Sequence, residues 1–172
     1  MSNQNFFKTK KHMLHSEEYS TLAPHDSAVA TKVSECLMVV FKSINLNGEE
    51  RIRVGHFGSN FMKRPSASYL GFWRCFNDEV VTSIKFATNY PYTAAFRKLV
   101  AKALTEKTGL KPIDVEMYLI DSPFHRLEYR DIVYYACSDS FNTIFSRDYA
   151  VKEDTCNNLE KIPIKDNNCF II

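Results

Sequence analysis

At 172 residues the chain is long enough for one domain with a substantial core, and a hydrophobic content of 45% with 13% aromatics argues against disorder over most of its length. A net charge of +2 supplies no broad phosphate-binding face, so nucleic acid is not expected as a partner. The five cysteines (Cys36, Cys75, Cys137, Cys156, Cys169) are odd in number and form no Cys-x-x-Cys pair, which with the polar, basic opening residues favours reduced thiols in a cytosolic setting.

Residues 1–32 read as a weakly structured N-terminal segment. Lys8, Lys10, Lys11, His12 and His15 form a basic patch, followed by Glu17, Glu18 and Asp26. A short helix over 16–22, capped by Ser16, fits this stretch. His12 and His15 lack Cys or carboxylate partners at ligand spacing, so no metal site is expected. With five glycines and no phosphate-binding loop, no cofactor is expected either.

Residues 33–150 read as a single α+β domain. The β-rich run 33–44 predicts a strand, Asn45-Leu46-Asn47-Gly48 a turn, and the alternation of Ile52 and Val54 with Arg51 and Arg53 a returning strand. Segments 68–76 and 80–87 suggest a second hairpin around Asn77-Asp78. Phe96, Leu99, Val100, Ala103 and Leu104 then recur at helical spacing, predicting a helix from about 91 to 107 that Thr108-Gly109 ends. Residues 113–120 and 127–137 predict further strands, and 139–147 fits either class. The expected architecture is a mostly antiparallel sheet of about six or more strands with one long helix packed on a face. Within it, Phe72-Trp73 and Tyr134-Tyr135 read as core or cross-strand pairs. Asp131, beside Arg126 and Arg130, reads as a surface ion-pair residue.

The candidate chemistry is a cysteine and a histidine on adjacent strands. Ser34-Glu35-Cys36 opens the first strong strand, and Gly55-His56-Phe57 ends its hairpin partner. A nucleophilic cysteine needs a thiolate, and a neighbouring imidazole supplies one at neutral pH. Loop length decides whether the two share a face, because strand side chains alternate. A three-residue loop Leu46-Asn47-Gly48 pairs Asn45 with Glu49 and puts Cys36 and His56 diagonally on one face, roughly 7–8 Å apart by Cα. A two-residue Asn47-Gly48 turn puts them on opposite faces. The sequence suits both turns.

The order Ser-x-Cys strand, short hairpin, small-His-apolar strand, then a long helix and a strand resembles the Cys–His amidohydrolase fold. That group comprises the chemoreceptor glutamine deamidases, the cytotoxic-necrotizing-factor type toxins and the N-terminal asparagine amidohydrolases. The likeness covers about residues 33–120 and is carried by Ser34, Cys36, Gly55 and His56. It implies that Cys36 attacks a side-chain amide and that His56 is the base. The third polar residue of that group corresponds to Thr31, Ser34 or Asn60, Thr31 being nearest in sequence logic. Glu35 departs from the small residue usual beside the nucleophile, and a carboxylate there disfavours a thiolate unless it points away.

Residues 151–172 read as a flexible tail ending in Cys169-Phe170-Ile171-Ile172, which matches a prenylation box. No apolar run approaches the roughly 20 residues that span a bilayer, so a peripheral lipid anchor on the cytoplasmic face of a eukaryotic membrane is expected, reached after delivery into a host cell if the source is bacterial. One lipid chain generally needs a second element, and Cys156 offers a palmitoylation site. Expressed in eukaryotic cells, the chain is expected to carry a lipid on Cys169, read by intact mass; an unmodified Cys169 refutes the box. The expected partner is a protein, as the substrate of a deamidase or, alternatively, the target of a non-catalytic prenylated adaptor.

Overall fold

The computed structural model describes residues 9–33, 36–58, 61, 66–88, 94–110, 115–120, 130–145 and 159–162. In chain order the elements are β1 (Lys11–Leu14), β2 (Glu18–Leu22), β3 (Ser27–Val33), β4 (Leu37–Asn45), β5 (Glu50–Phe57), α1 (Ala67–Arg74), β6 (Glu79–Thr88), α2 (Ala94–Thr108), β7 (Val115–Ile120), β8 (Arg130–Tyr135), β9 (Ser140–Phe145) and β10 (Leu159–Ile162). They form a four-stranded sheet, β1-β3-β8-β9, and a six-stranded sheet, β10-β7-β6-β4-β5-β2. Among the described pairings β1–β3 and β6–β7 run parallel and the others antiparallel. The fold is α+β and mostly strand. Where one sheet and one long helix were expected, the described residues hold two sheets and two helices.

β4 explains the layering. It lies between β5 and β6, with Leu37, Val39 and Phe41 on one face and Met38 and Val40 on the other, none more than 2% exposed. A strand covered on both faces must be apolar at successive positions. The first face packs on Phe72 and Trp73 of α1 and on Val100, Ala101 and Leu104 of α2. The second face, with Ile52 and Val54 of β5, packs on Ala28 and Ala30 of β3 and Ile132 and Tyr134 of β8. The layers are therefore helices, six-stranded sheet, four-stranded sheet.

The β4–β5 hairpin settles the loop length. Asn45 N–H donates to the Glu49 carbonyl at 3.0 Å and Gly48 N–H to the Asn45 carbonyl at 2.9 Å. The Asn45 side-chain oxygen accepts from the N–H groups of Asn47 and Glu49. Gly48 sits at φ 80°, so the three-residue loop is the one adopted and Ile44 faces Glu50. A Cβ on Gly48 would meet nothing within 4 Å. Gly48→Ala is therefore expected to cost only the left-handed backbone penalty, about 1–2 kcal/mol in urea denaturation. A neutral result would mean the loop can refold into another turn.

Four stretches differ from their sequence reading. Segment 68–76 is not a strand: Ser66 caps α1 by accepting from Tyr69 N–H at 3.1 Å, and Tyr69, Phe72 and Trp73 form a buried helical stripe. The stretch 16–22 is not a helix, and the segment expected to be weakly structured carries β1, β2 and most of β3. Within α2, Val100, Ala101 and Leu104 are buried, whereas Leu99 is 49% exposed. Part of the expected tail is β10, paired with β7; Cys156 and Cys169 lie outside the described residues.

Charged groups tie neighbouring strands and the two sheets together. Glu79 at the start of β6 takes both terminal nitrogens of Arg53 from β5 and the Ser43 hydroxyl from β4, the last at 2.6 Å. Asp139, in the β8–β9 turn, accepts from Lys85 at 2.5 Å and Tyr134 at 2.6 Å, with Lys42 at 3.3 Å, and so joins the two sheets. Burial opposes the charge on both carboxylates, but these partners outweigh it and hold both below their ordinary values of 4.5 and 3.8. Carboxyls that are more acidic when folded lend stability that is complete above those ordinary values and lost as pH falls through the folded ones. The melting temperature is expected to hold from pH 7 to about 5 on account of these groups, then fall below about pH 4.5. In Glu79→Gln the fall should be shallower, which a pH series by circular dichroism reads.

Candidate catalytic site

The register that follows from the Gly48 loop decides the central question. Met38 stands directly opposite His56, and Leu37 opposite Phe57. Cys36 lies one position before β4, and extending the strand's alternation by two positions from Met38 puts it on the face of His56, towards the four-stranded sheet. Cys36 is partly buried against the core between the sheets. Gly55, one position before His56, lies on the opposite face, where a Cβ would come within 2.2 Å of the Phe57 ring. Only glycine lets that ring lie back along the strand.

His56 is 1% exposed. Its Nδ1 lies 3.1 Å from the carbonyl oxygen of Leu14 at the end of β1. A carbonyl only accepts, so Nδ1 carries the proton and Nε2 carries the lone pair. Nε2 is buried and makes no hydrogen bond, to Cys36 or to any other described group. Burial pushes the imidazole below its ordinary value of 6.5; the Leu14 carbonyl and the Glu17 and Asp131 carboxylates pull the other way, and His15 adds to the lowering. The ring is thus held neutral near pH 7, in one tautomer, with an unused basic nitrogen.

The surroundings are built from the first three strands. Thr31, 7% exposed, donates to the same Leu14 carbonyl at 3.4 Å and lies 3.2 Å from His15 Nδ1. Thr31 therefore shares an acceptor with His56, although it does not touch the ring through a hydrogen bond of its own. Glu17 has φ 67° in the β1–β2 turn; its N–H donates to the His56 carbonyl at 2.7 Å. Its carboxylate accepts from Gly58 N–H at 2.9 Å and from the Ser66 hydroxyl, which clasps the end of β5 to the start of α1.

Asp131 corrects the surface reading. It is fully buried and accepts from Lys32 N–H at 2.7 Å. Lys32 sits at φ 52°, where the β3–β8 register shifts between Ala30 and Val33. The carboxylate thus serves the N–H of a bulge, within electrostatic reach of His56. A charge inside the run Asp131-Ile132-Val133-Tyr134 was the available signal. The Leu14 carbonyl has no side-chain signature at all.

Phe72, Trp73 and Tyr134 are buried in the two cores, as their aromatic setting suggested. Ser34 and Asn60 lie outside the described residues. Among the described residues no group of three or more potential ligands is arranged to hold a metal ion, and no helix is long and apolar enough to cross a membrane. The fold and this pair define a two-sheet α+β protein with a thiol and a tautomer-locked imidazole on one sheet face. No protein-family model matches the chain, and no curated protein does.

Proposed function

We propose that the protein is a cysteine-dependent amidohydrolase that converts a Gln or Asn side-chain amide of a protein to the acid, with Cys36 as nucleophile and His56 as base. The observation that supports this best is the hairpin register, which brings both residues to one face while the Leu14 carbonyl leaves His56 Nε2 as the basic nitrogen. Their Cα separation in such a diagonal pair is about 7–8 Å, which rotation of the two side chains can bridge. The hydrogen bond is made only in the complex, as is common for catalytic pairs.

In the reaction the Cys36 proton passes to His56 Nε2 and the thiolate sulfur bonds to the amide carbon. The C–N bond breaks, and ammonia leaves with the proton from His56. Water then loses a proton to Nε2 and adds to the thioester; the C–S bond breaks, the carboxylic acid is released and the Nε2 proton returns to the Cys36 sulfur. Throughout, Leu14 holds the ring through Nδ1–H, the place a carboxylate takes in a triad.

The test uses casein as a glutamine-rich probe and measures released ammonia together with the mass gain of about 1 Da per converted amide. Cys36→Ala is expected to abolish both. Full-rate conversion by Cys36→Ala eliminates this reading, and an inert wild-type protein whose Cys36 also resists iodoacetamide favours the non-catalytic binding module instead.

A further inference from the structure

A second set of side chains lies at the open edge of the sandwich, where β1 ends one sheet and β2 ends the other. His12 of β1 and Ser20 of β2 are half-buried on these edge strands, each two positions before the buried Leu14 or Leu22, and Asp26 immediately precedes β3. The Ser20 hydroxyl lies 2.6 Å from His12 Nδ1, and His12 Nε2 lies 3.0 Å from an Asp26 carboxylate oxygen. Asp26 is 7% exposed and accepts from Lys10 N–H at 2.9 Å and Ala23 N–H at 3.0 Å. Burial opposes its charge, but those two N–H groups and the His12 ring outweigh it, so the carboxyl stays below its ordinary 3.8 and ionised at neutral pH.

An ionised carboxylate only accepts. In its neutral form His12 therefore donates its Nε2–H to Asp26 in a hydrogen bond, which leaves the Nδ1 lone pair to accept from the Ser20 hydroxyl. The chain of polarity runs from Asp26 through His12 to Ser20, as in a serine hydrolase triad, with the two ring nitrogens exchanged. Ser20 and His12 also line a surface pocket of about 660 Å³. Lys10 and Lys11 stand on its wall with their ammonium groups in no ion pair among the described residues. The two acids on that wall are already engaged: Glu18 accepts from His15 N–H, and Glu17 from Gly58 N–H and Ser66.

We infer that Ser20, His12 and Asp26 form a second acyl-transfer site, independent of Cys36, which hydrolyses carboxylic esters bearing a negative charge within reach of Lys10 and Lys11. Ser20 Oγ bonds to the ester carbon as its proton passes to His12 Nδ1. The C–O bond to the alcohol breaks, and the alcohol leaves with that proton. Water then gives a proton to Nδ1 and adds to the acyl-serine, and Ser20 is released with the same proton as the carboxylic acid departs. Asp26 is a positioning residue: it fixes the tautomer and faces the imidazolium without changing its own protonation.

A fluorophosphonate probe tests this on the full chain, because it phosphonylates activated serines. Tandem mass spectrometry is expected to find one adduct, on Ser20, in the wild type and equally in Cys36→Ala. In Ser20→Ala the adduct should be absent. His12→Gln retains an N–H for Asp26 but has no basic nitrogen, and is expected to slow labelling by about 100-fold or more with an unchanged circular dichroism spectrum. A network that merely ties the sheet edges together would leave the wild-type Ser20 unlabelled, and that result overturns the inference. So does labelling of His12→Gln at the wild-type rate. Ammonia release without a Ser20 adduct overturns this inference alone, whereas a Ser20 adduct with neither ammonia release nor alkylation of Cys36 by iodoacetamide overturns the cysteine reading alone.

Discussion

Phe41→Ala is expected to destabilise the protein by about 3–5 kcal/mol. For a chain of this size that corresponds to a melting temperature lower by roughly 6–20 °C. Phe41 is fully buried at the middle of β4. Its ring lies 5.1 Å from that of Phe72, 5.2 Å from Trp73 and 5.2 Å from Phe76. The contacts to Phe72 and Trp73 are edge-on, at 70° and 74°, the geometry in which ring quadrupoles attract. Truncation therefore removes the burial of one large side chain, three ring contacts and the support of α1 on the six-stranded sheet. The neighbouring rings are themselves packed against one another, which limits collapse into the cavity. Urea denaturation should show a lower midpoint with an unchanged slope. Leu99→Ala, on the exposed side of α2, should stay within about 0.5 kcal/mol of wild type. A Phe41→Ala loss below about 1.5 kcal/mol would refute the view that this ring holds the helical layer to the sheet.

The same buried strand shows why part of the fold was legible in the sequence. Residues 37–41 form a continuous apolar run because β4 is covered on both faces, and such a run stands out against any neighbour. The edge strands offer no such contrast. In β1 only Leu14, and in β2 only Leu22, is buried. The remaining inward positions are taken by His12 and Ser20, whose hydrogen bonds satisfy them. A polar stretch of this kind reads as unstructured until the partner strands are in place. The aromatic segment 68–76 failed for another reason. Its ring residues have high strand propensity, but Tyr69, Phe72, Trp73 and Phe76 are spaced by three, one and three, and the helical period prevailed over propensity.

Whether Cys36 and His56 fall on one sheet face was legible only up to a choice between two turns. Asn47-Gly48 suits a two-residue turn as well as the end of a three-residue loop. The Asn45 side chain decides it by taking two N–H groups of the longer loop. Asp131 was misread because its sequence neighbours are basic. Its actual role is set by a bulge in a strand 99 positions away, a distance over which charge pattern carries no information.

His56→Gln is expected to lower the deamidation rate by about 10²–10⁴-fold, the contribution of a positioned general base. Glutamine can still donate its amide N–H to the Leu14 carbonyl, so the substitution removes the basic nitrogen while leaving the strand ends joined. Thr31→Val tests a lesser role. It deletes one of the two side-chain donors described on that carbonyl but leaves the bond from His56, and should cost no more than about tenfold, the worth of one neutral hydrogen bond. The pH profile supplies the sign. The base must be neutral to act, and burial holds His56 below 6.5 against the pull of Leu14, Glu17 and Asp131. The acid limb of kcat/KM in the wild type should therefore be centred below pH 6.5. Stability follows the same direction. An imidazole that is less basic when folded leaves the unfolded chain binding more protons, so the His56 contribution is full above pH 6.5 and is lost as pH falls through the folded value. His56→Gln should remove both the limb and this part of the acid destabilisation together, which ammonia release and thermal melts at pH 5 to 7.5 read side by side. A wild-type limb centred above pH 6.5, or one that persists in His56→Gln, assigns the base to another residue.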